Sequence, residues 1–166
     1  FDKDSNTPLW SYDTGEDTYA VAISGNGSYI VAGSNSDKVY LFGKDSSTPL
    51  WSYSAEEQIK TVAISSDGEY IIAGSHDGYL YLFDKDSSTP LWSYSFDSTV
   101  SIVDISADGE YIVAGDEGGT ICLFDKDSST PLWSYDPANY VYSVAISADG
   151  EYIVLGSDNA KVFFFN

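Results

Sequence analysis

FDKDSSTPLWSY, residues 83–94, decides the fold, because the chain writes this phrase four times. Phe1 opens it as FDKDSNTPLWSY, Phe42 as FGKDSSTPLWSY, and Phe83 and Phe124 as FDKDSSTPLWSY. The spacing is 41 residues, and Phe165 begins a fifth unit that stops at Asn166. The repeats therefore run 1–41, 42–82, 83–123 and 124–164 within one domain over 1–166. A fixed period of this size marks a repeat architecture, in which each unit buries its apolar face against its neighbours.

Working outward from the phrase, one repeat resolves into four short strands. Thr61 to Ser65 is a small-to-apolar run, and Asp67-Gly68 follows as a tight turn, since both residues tolerate positive φ. Tyr70 to Gly74 is a second strand, Asp77-Gly78 a second turn, and Tyr79 to Phe83 a third strand. Pro90 cannot donate a ladder hydrogen bond, which suits the start of an edge strand, Leu91 to Tyr94. No segment carries helical periodicity with caps. Four antiparallel strands per unit give an all-β chain of β-propeller blades. Small residues, Ala22, Ala63 and Ala145, belong to the inner strands. Trp10, Trp51, Trp92 and Trp133 share one outer-strand position and are expected to pack blade against blade.

The run VAISADGEYIVLG from Val144 and the third-strand text YLYLFDKD resemble the WD-repeat blade, although Phe-Asp stands where Trp-Asp is usual and Gly-His is missing. LFDKDSSTPLWSYD from Leu123 is similar to the Trp-docking repeat of quinoprotein-type (PQQ-type) propellers. The resemblance spans the whole chain and implies a propeller. Enzymatic quinoproteins would imply a quinone cofactor and calcium, but none of their catalytic residues has a counterpart here, and an adjacent cysteine pair cannot exist with one Cys. Only the fold carries over.

The phase of the repeats is that of Velcro closure: Thr7 to Tyr12 form an orphan outer strand, and the last unit stops after its third strand. Four blades could close alone. Two chains exchanging strands into an eight-bladed ring is the favoured expectation, since two-fold homodimers are the commonest assemblies and closure hides strand edges. The matched ends are equally those of an excised or engineered piece of a longer array with no selected ligand. The chain has no Met, which points to a processed start or a segment of something longer, and no secretory leader is visible in it.

Net charge is -19, from 26 acidic and 7 basic residues. That disfavours nucleic acid and anionic membrane surfaces as partners, and negative charge keeps an apolar repeat protein soluble. No apolar run is long enough to span a bilayer. Cys122 stands where other repeats have Tyr40, Tyr81 and Phe163, and reads as a buried thiol.

Loops joining strands one to two and three to four emerge on one propeller face, and the others on the opposite face. The first face is nearly constant, with SDGEY and ADGEY turns and the DKDSSTP stretch. The second differs in every repeat. Its candidates for partner binding are Glu16, Asp17, Tyr19, Glu56, Glu57, Lys60, His76 and Asp77 in the first two repeats, then Phe96, Asp97, Glu117, Asn139, Tyr140 and Tyr142. Large rings and carboxylates suit a contact surface.

No catalytic residues, metal site or cofactor site are expected. His76 has no second His to complete a metal site. Phosphate-cradling, Rossmann and nucleophile-elbow motifs are missing. Asp84 to Ser88 alternates oxygen ligands but lacks the Gly and Glu of a calcium loop. The sequence reads as a non-enzymatic scaffold for an unidentified protein and for a second copy of itself. A glycan-binding module and a remnant of a quinone-dependent dehydrogenase are the alternatives.

Overall fold

The computed structural model describes residues 5–166, so Phe1 and the rest of residues 1–4 lie outside it. All regular structure among the described residues is β-strand. The first blade is β1 (Thr18–Ile23), β2 (Tyr29–Ser34), β3 (Lys38–Gly43) and β4 (Trp51–Ser54). The second is β5 (Ile59–Ile64), β6 (Tyr70–Ser75), β7 (Tyr79–Asp84) and β8 (Trp92–Ser95). The third is β9 (Val100–Ile105), β10 (Tyr111–Asp116), β11 (Ile121–Asp125) and β12 (Trp133–Tyr135). The fourth has three strands, β13 (Val141–Ile146), β14 (Ile153–Ser157) and β15 (Val162–Phe165). Each sheet is an antiparallel meander in chain order.

The predicted turns are present. Ser65 Oγ donates to Asp67, whose carboxylate also accepts from the Glu69 N–H, so one Ser-x-Asp unit knots the turn. The same knot recurs at Ser106/Asp108 and Ser147/Asp149. These bonds to the ionised form hold the Asp108 and Asp149 carboxyls below the usual range.

The core lies in the seams between blades, not inside any one sheet. Between the first and second blades, Val31, Val39 and Leu41 meet Ile59, Ile71 and Phe83. Trp51 of the first blade reaches over the seam to Phe83, with ring centroids 5.3 Å apart, and its indole donates to the Lys85 carbonyl at 2.7 Å. Trp92 repeats this with Phe124 and Lys126. The four tryptophans are thus seam residues, as expected.

One expectation changes form. Residues around Thr7 to Tyr12 form no strand in the described structure. Trp10 nevertheless docks on Phe42 and donates to the Lys44 carbonyl at 2.9 Å, as the outer strand of a preceding blade would. Without a neighbouring third strand the segment has no ladder to join, but its indole still finds its seat.

Candidate functional site

The constant face owes its constancy to the seams. The Ser66 N–H donates to the Ala107 carbonyl, and the Ala107 N–H to Ala148, so the first turns are chained from blade to blade. The Tyr29, Tyr70 and Tyr111 rings lie on the turn glycines of the following blade, Gly68, Gly109 and Gly150. Each of those glycines has a positive φ, and an added Cβ would come within 2.5 Å of the ring. A side chain there would both strain the turn and push the blades apart.

On the variable face the loop acceptors are main-chain carbonyls, and the Ser34, Ser75 and Ser157 hydroxyls donate to those of Asp17, Glu57 and Tyr140. The His76 N–H donates to the Gln58 carbonyl, Glu117 to Thr99, and Asp158 to Tyr140. A carbonyl acceptor does not depend on the side chain beside it, so the loop residues that supply these carbonyls are free to diverge while the blades stay intact.

That freedom is spent on a recurring backbone device. In each inner strand one extra residue interrupts the ladder: Tyr19 in β1, Lys60 in β5, Ser101 in β9 and Tyr142 in β13. A bulge of this kind re-aims its side chain out of the pleat. The row is legible across the first seam, where Lys60 Nζ stands 4.4 Å from the centre of the Tyr19 ring, a cation–π contact. In the fourth blade Tyr142 meets Tyr140, with centroids 4.9 Å apart.

The other candidates fall around this row. His76 Nδ1 contacts the Glu57 carboxylate. Asp77 accepts from the Tyr81 hydroxyl, whose pKa is pushed up by burial and then by Asp77. Glu16, Asp17, Glu56, Asp97 and Glu117 are exposed, while Asn139 is half-buried and donates to the Pro137 carbonyl.

Phe96 is a correction. It is 7% exposed, edge-on to Tyr94 and near Phe124 in the second seam, so it is core rather than contact surface. The reason is compensation. Repeat register pairs Ala55 with Tyr81 in the second blade but Phe96 with Cys122 in the third. The large and small residues have changed places within one buried cluster. Burial pushes the Cys122 thiol up to about 11, which makes it a poor nucleophile.

Sequence reading also missed Asp104. It breaks the inner-strand alanine column of Ala22, Ala63 and Ala145, and that break was the available signal. Its carboxylate accepts from the Ile105 N–H and, across the third seam, from the Ile146 N–H, both at 2.9 Å. Desolvation raises its pKa against these two bonds, which lower it.

The terminal blades carry unmatched halves of the same seam. Val162 and Phe164 of the fourth blade are 76% and 68% exposed, whereas their counterparts Leu80 and Leu82 are fully buried. Val21 and Ile23 of the first blade are 69% and 62% exposed, against buried Val62 and Ile105. The Tyr152 ring lacks a turn to lie on, and nothing comes within 4 Å of a Cβ placed on Gly27.

Among the described residues no group of three or more His, Cys, Asp or Glu is placed to hold a metal ion. Compared with known families, the chain matches the one described as outer membrane protein assembly factor BamB, over residues 1–100 and again over 35–166. Curated proteins show no match to it.

Proposed function

Because the chain belongs to this PQQ-type repeat family of propeller fold, we propose that it is a non-catalytic scaffold that binds a protein partner through the variable face. The observation that carries this is the bulge row. Every blade places an extra residue at the variable-face end of its inner strand, and that residue differs: Tyr19, Lys60, Ser101 and Tyr142; Tyr19 and Tyr142 are exposed there, while the Ser101 hydroxyl is buried. Around it lie exposed carboxylates that would favour a partner with basic groups and give salt-sensitive association.

The scaffold is completed as an eight-bladed ring of two chains. Complementary half-seams support this: apolar Val162 and Phe164 at one end, Val21 and Ile23 at the other, left apart by the four blades of a single chain. Light scattering should give twice the 18.0 kDa chain mass. A mass of one chain at all concentrations overturns the ring.

The binding role is tested by immobilising the chain beside a Tyr140→Ala/Glu57→Ala variant and identifying captured proteins from the source organism. Expected is a protein retained by the parent, lost at raised salt and lost by the variant. Saturable binding of a glycan that quenches ring fluorescence, with no protein retained, would replace this reading with the glycan-binding one.

A further inference from the structure

We infer that the notch on the constant face of the first blade, between Ser28, Gly43, Lys44 and Leu50, binds a small carboxylate. It lies on the opposite face from the partner surface and depends neither on that surface nor on the two-chain ring. The cavity measures about 310 Å³ and is also lined by Tyr29 and Asp45.

The second and third blades show what this corner ordinarily holds. A Glu carboxylate stands on a half-buried lysine: Glu69 pairs with Lys85 at 3.0 Å and Glu110 with Lys126 at 3.3 Å. An Asp side chain closes the loop after the third strand, where Asp84 accepts from the Asp86 N–H and Asp125 from the Asp127 N–H, both at 2.8 Å. A third carboxylate, Asp67 or Asp108, knots the neighbouring turn.

The first blade has lost all three. One period before Asp67, Glu69 and Asp84 the sequence has Asn26, Ser28 and Gly43. The turn survives, because Asn26 Oδ1 still accepts from the Ser24 hydroxyl and the Ser28 N–H, each at 2.8 Å. The amide does the mechanical work of the carboxylate without its charge. Ser28 and Gly43 bring no such replacement. The Lys44 side chain is 58% exposed, against 20% for Lys85 and 17% for Lys126, and among the described residues its ammonium pairs only with Asp45, at 3.3 Å. Gly43 offers no side-chain acceptor to the Asp45 N–H. Its φ is not left-handed, so the backbone does not demand glycine, and nothing comes within 4 Å of a Cβ placed there.

An ammonium, a loop N–H and a hydroxyl therefore border one open cavity, at a corner stripped of three negative charges in a chain of net charge -19. The same ammonium and N–H hold the chain's own carboxylates in the second and third blades, so the ligand they select is a carboxylate. Asp45 does not forbid it. Asp86 and Asp127 stand in the same place beside Lys85 and Lys126, and Glu69 and Glu110 are still held. The Tyr29 ring and the exposed Leu50 side chain give a short carbon chain a wall. Such a carboxylate is either a free short-chain acid or the side chain of an acidic residue in a peptide.

The test titrates the isotope-labelled full chain with butyrate and, separately, with a blocked Gly-Glu-Gly peptide, at constant ionic strength. The Ser28, Gly43 and Asp45 amide signals should move saturably with at least one probe, and the probe that moves them names the source. Lys44→Gln should weaken the response by about threefold or more. Ser28→Glu with Gly43→Asp, which restores the repeat residues into open space, should abolish it. The reverse graft, Glu69→Ser with Asp84→Gly, should give the second blade a response at the Asp86 amide. Signals that do not saturate with either probe, or that sodium chloride alone reproduces, overturn the site. Shifts that persist in Ser28→Glu with Gly43→Asp place the binding elsewhere and overturn it too. A grafted second blade that stays silent overturns the claim that these two replacements make the site.

Discussion

The Trp92 indole crosses from the second blade to donate to the Lys126 carbonyl of the third at 2.7 Å. One bond thus ties an outer strand to the connection of the next blade, and the same Lys126 side chain is held by Glu110 and Asp127. The repeated phrase DKDSSTPLW encodes both partners of this clasp, one repeat apart.

Trp92→Phe keeps the ring contact with Phe124 and removes the donor. It should cost about 1–3 kcal/mol, because the Lys126 carbonyl loses its partner. Trp92→Ala removes the packing as well and should cost about 3–5 kcal/mol. Urea midpoints at constant m-value would measure both.

Phe96 and Cys122 should be coupled. Cys122→Tyr restores the repeat residue but overfills the second seam, at about 1–3 kcal/mol. Adding Phe96→Ala, which restores the Ala55 pattern, should recover most of that loss. A double-mutant cycle with no interaction energy would show that the two residues do not share space.

Asp104 should make the third seam sensitive to pH. Its folded pKa is raised by desolvation. The native state therefore holds the proton more tightly than the unfolded chain, and this group's contribution to stability falls as pH rises through the carboxylate range. Relative to Asp104→Ala, the parent should lose stability as pH rises from the unfolded carboxyl pKa through the raised folded one, level off above it, and regain the loss on acidification. A difference between the two that is flat in pH would refute this.

Ala160 adopts φ +61 at the turn position where Gly78 and Gly119 stand in the second and third blades. A Cβ is disfavoured there, so Ala160→Gly should stabilise the chain by about 1 kcal/mol. Thermal unfolding would show it as a rise of a few degrees.

Much of the fold was legible in the repeats. The Asp67-Gly68 turn, the strand at Tyr79 to Phe83 and the equivalence of the tryptophans follow from local chemistry, and local chemistry recurs with the period. The candidate surface was only half legible. Tyr19, Lys60 and Tyr142 were picked out because they vary, yet their shared bulge was invisible, since an extra residue shows only when partner strands are paired. Phe96 was misplaced for a related reason: a large ring in a variable loop looks available until Cys122 opposite it proves small.

By itself the sequence determined the blade, its turns, its inner and outer strands and the sidedness of its loops. Each of these depends on residues close in the chain or one period apart, where every repeat meets the same neighbours. Only the tertiary structure decided which halves of the seam lie open at the terminal blades, where Asp104 finds its two donors, and that Phe96 belongs to the core. Those outcomes turn on how blades lean on one another, and that is fixed by side-chain volume and hydrogen-bond geometry across the seams, which no single repeat contains.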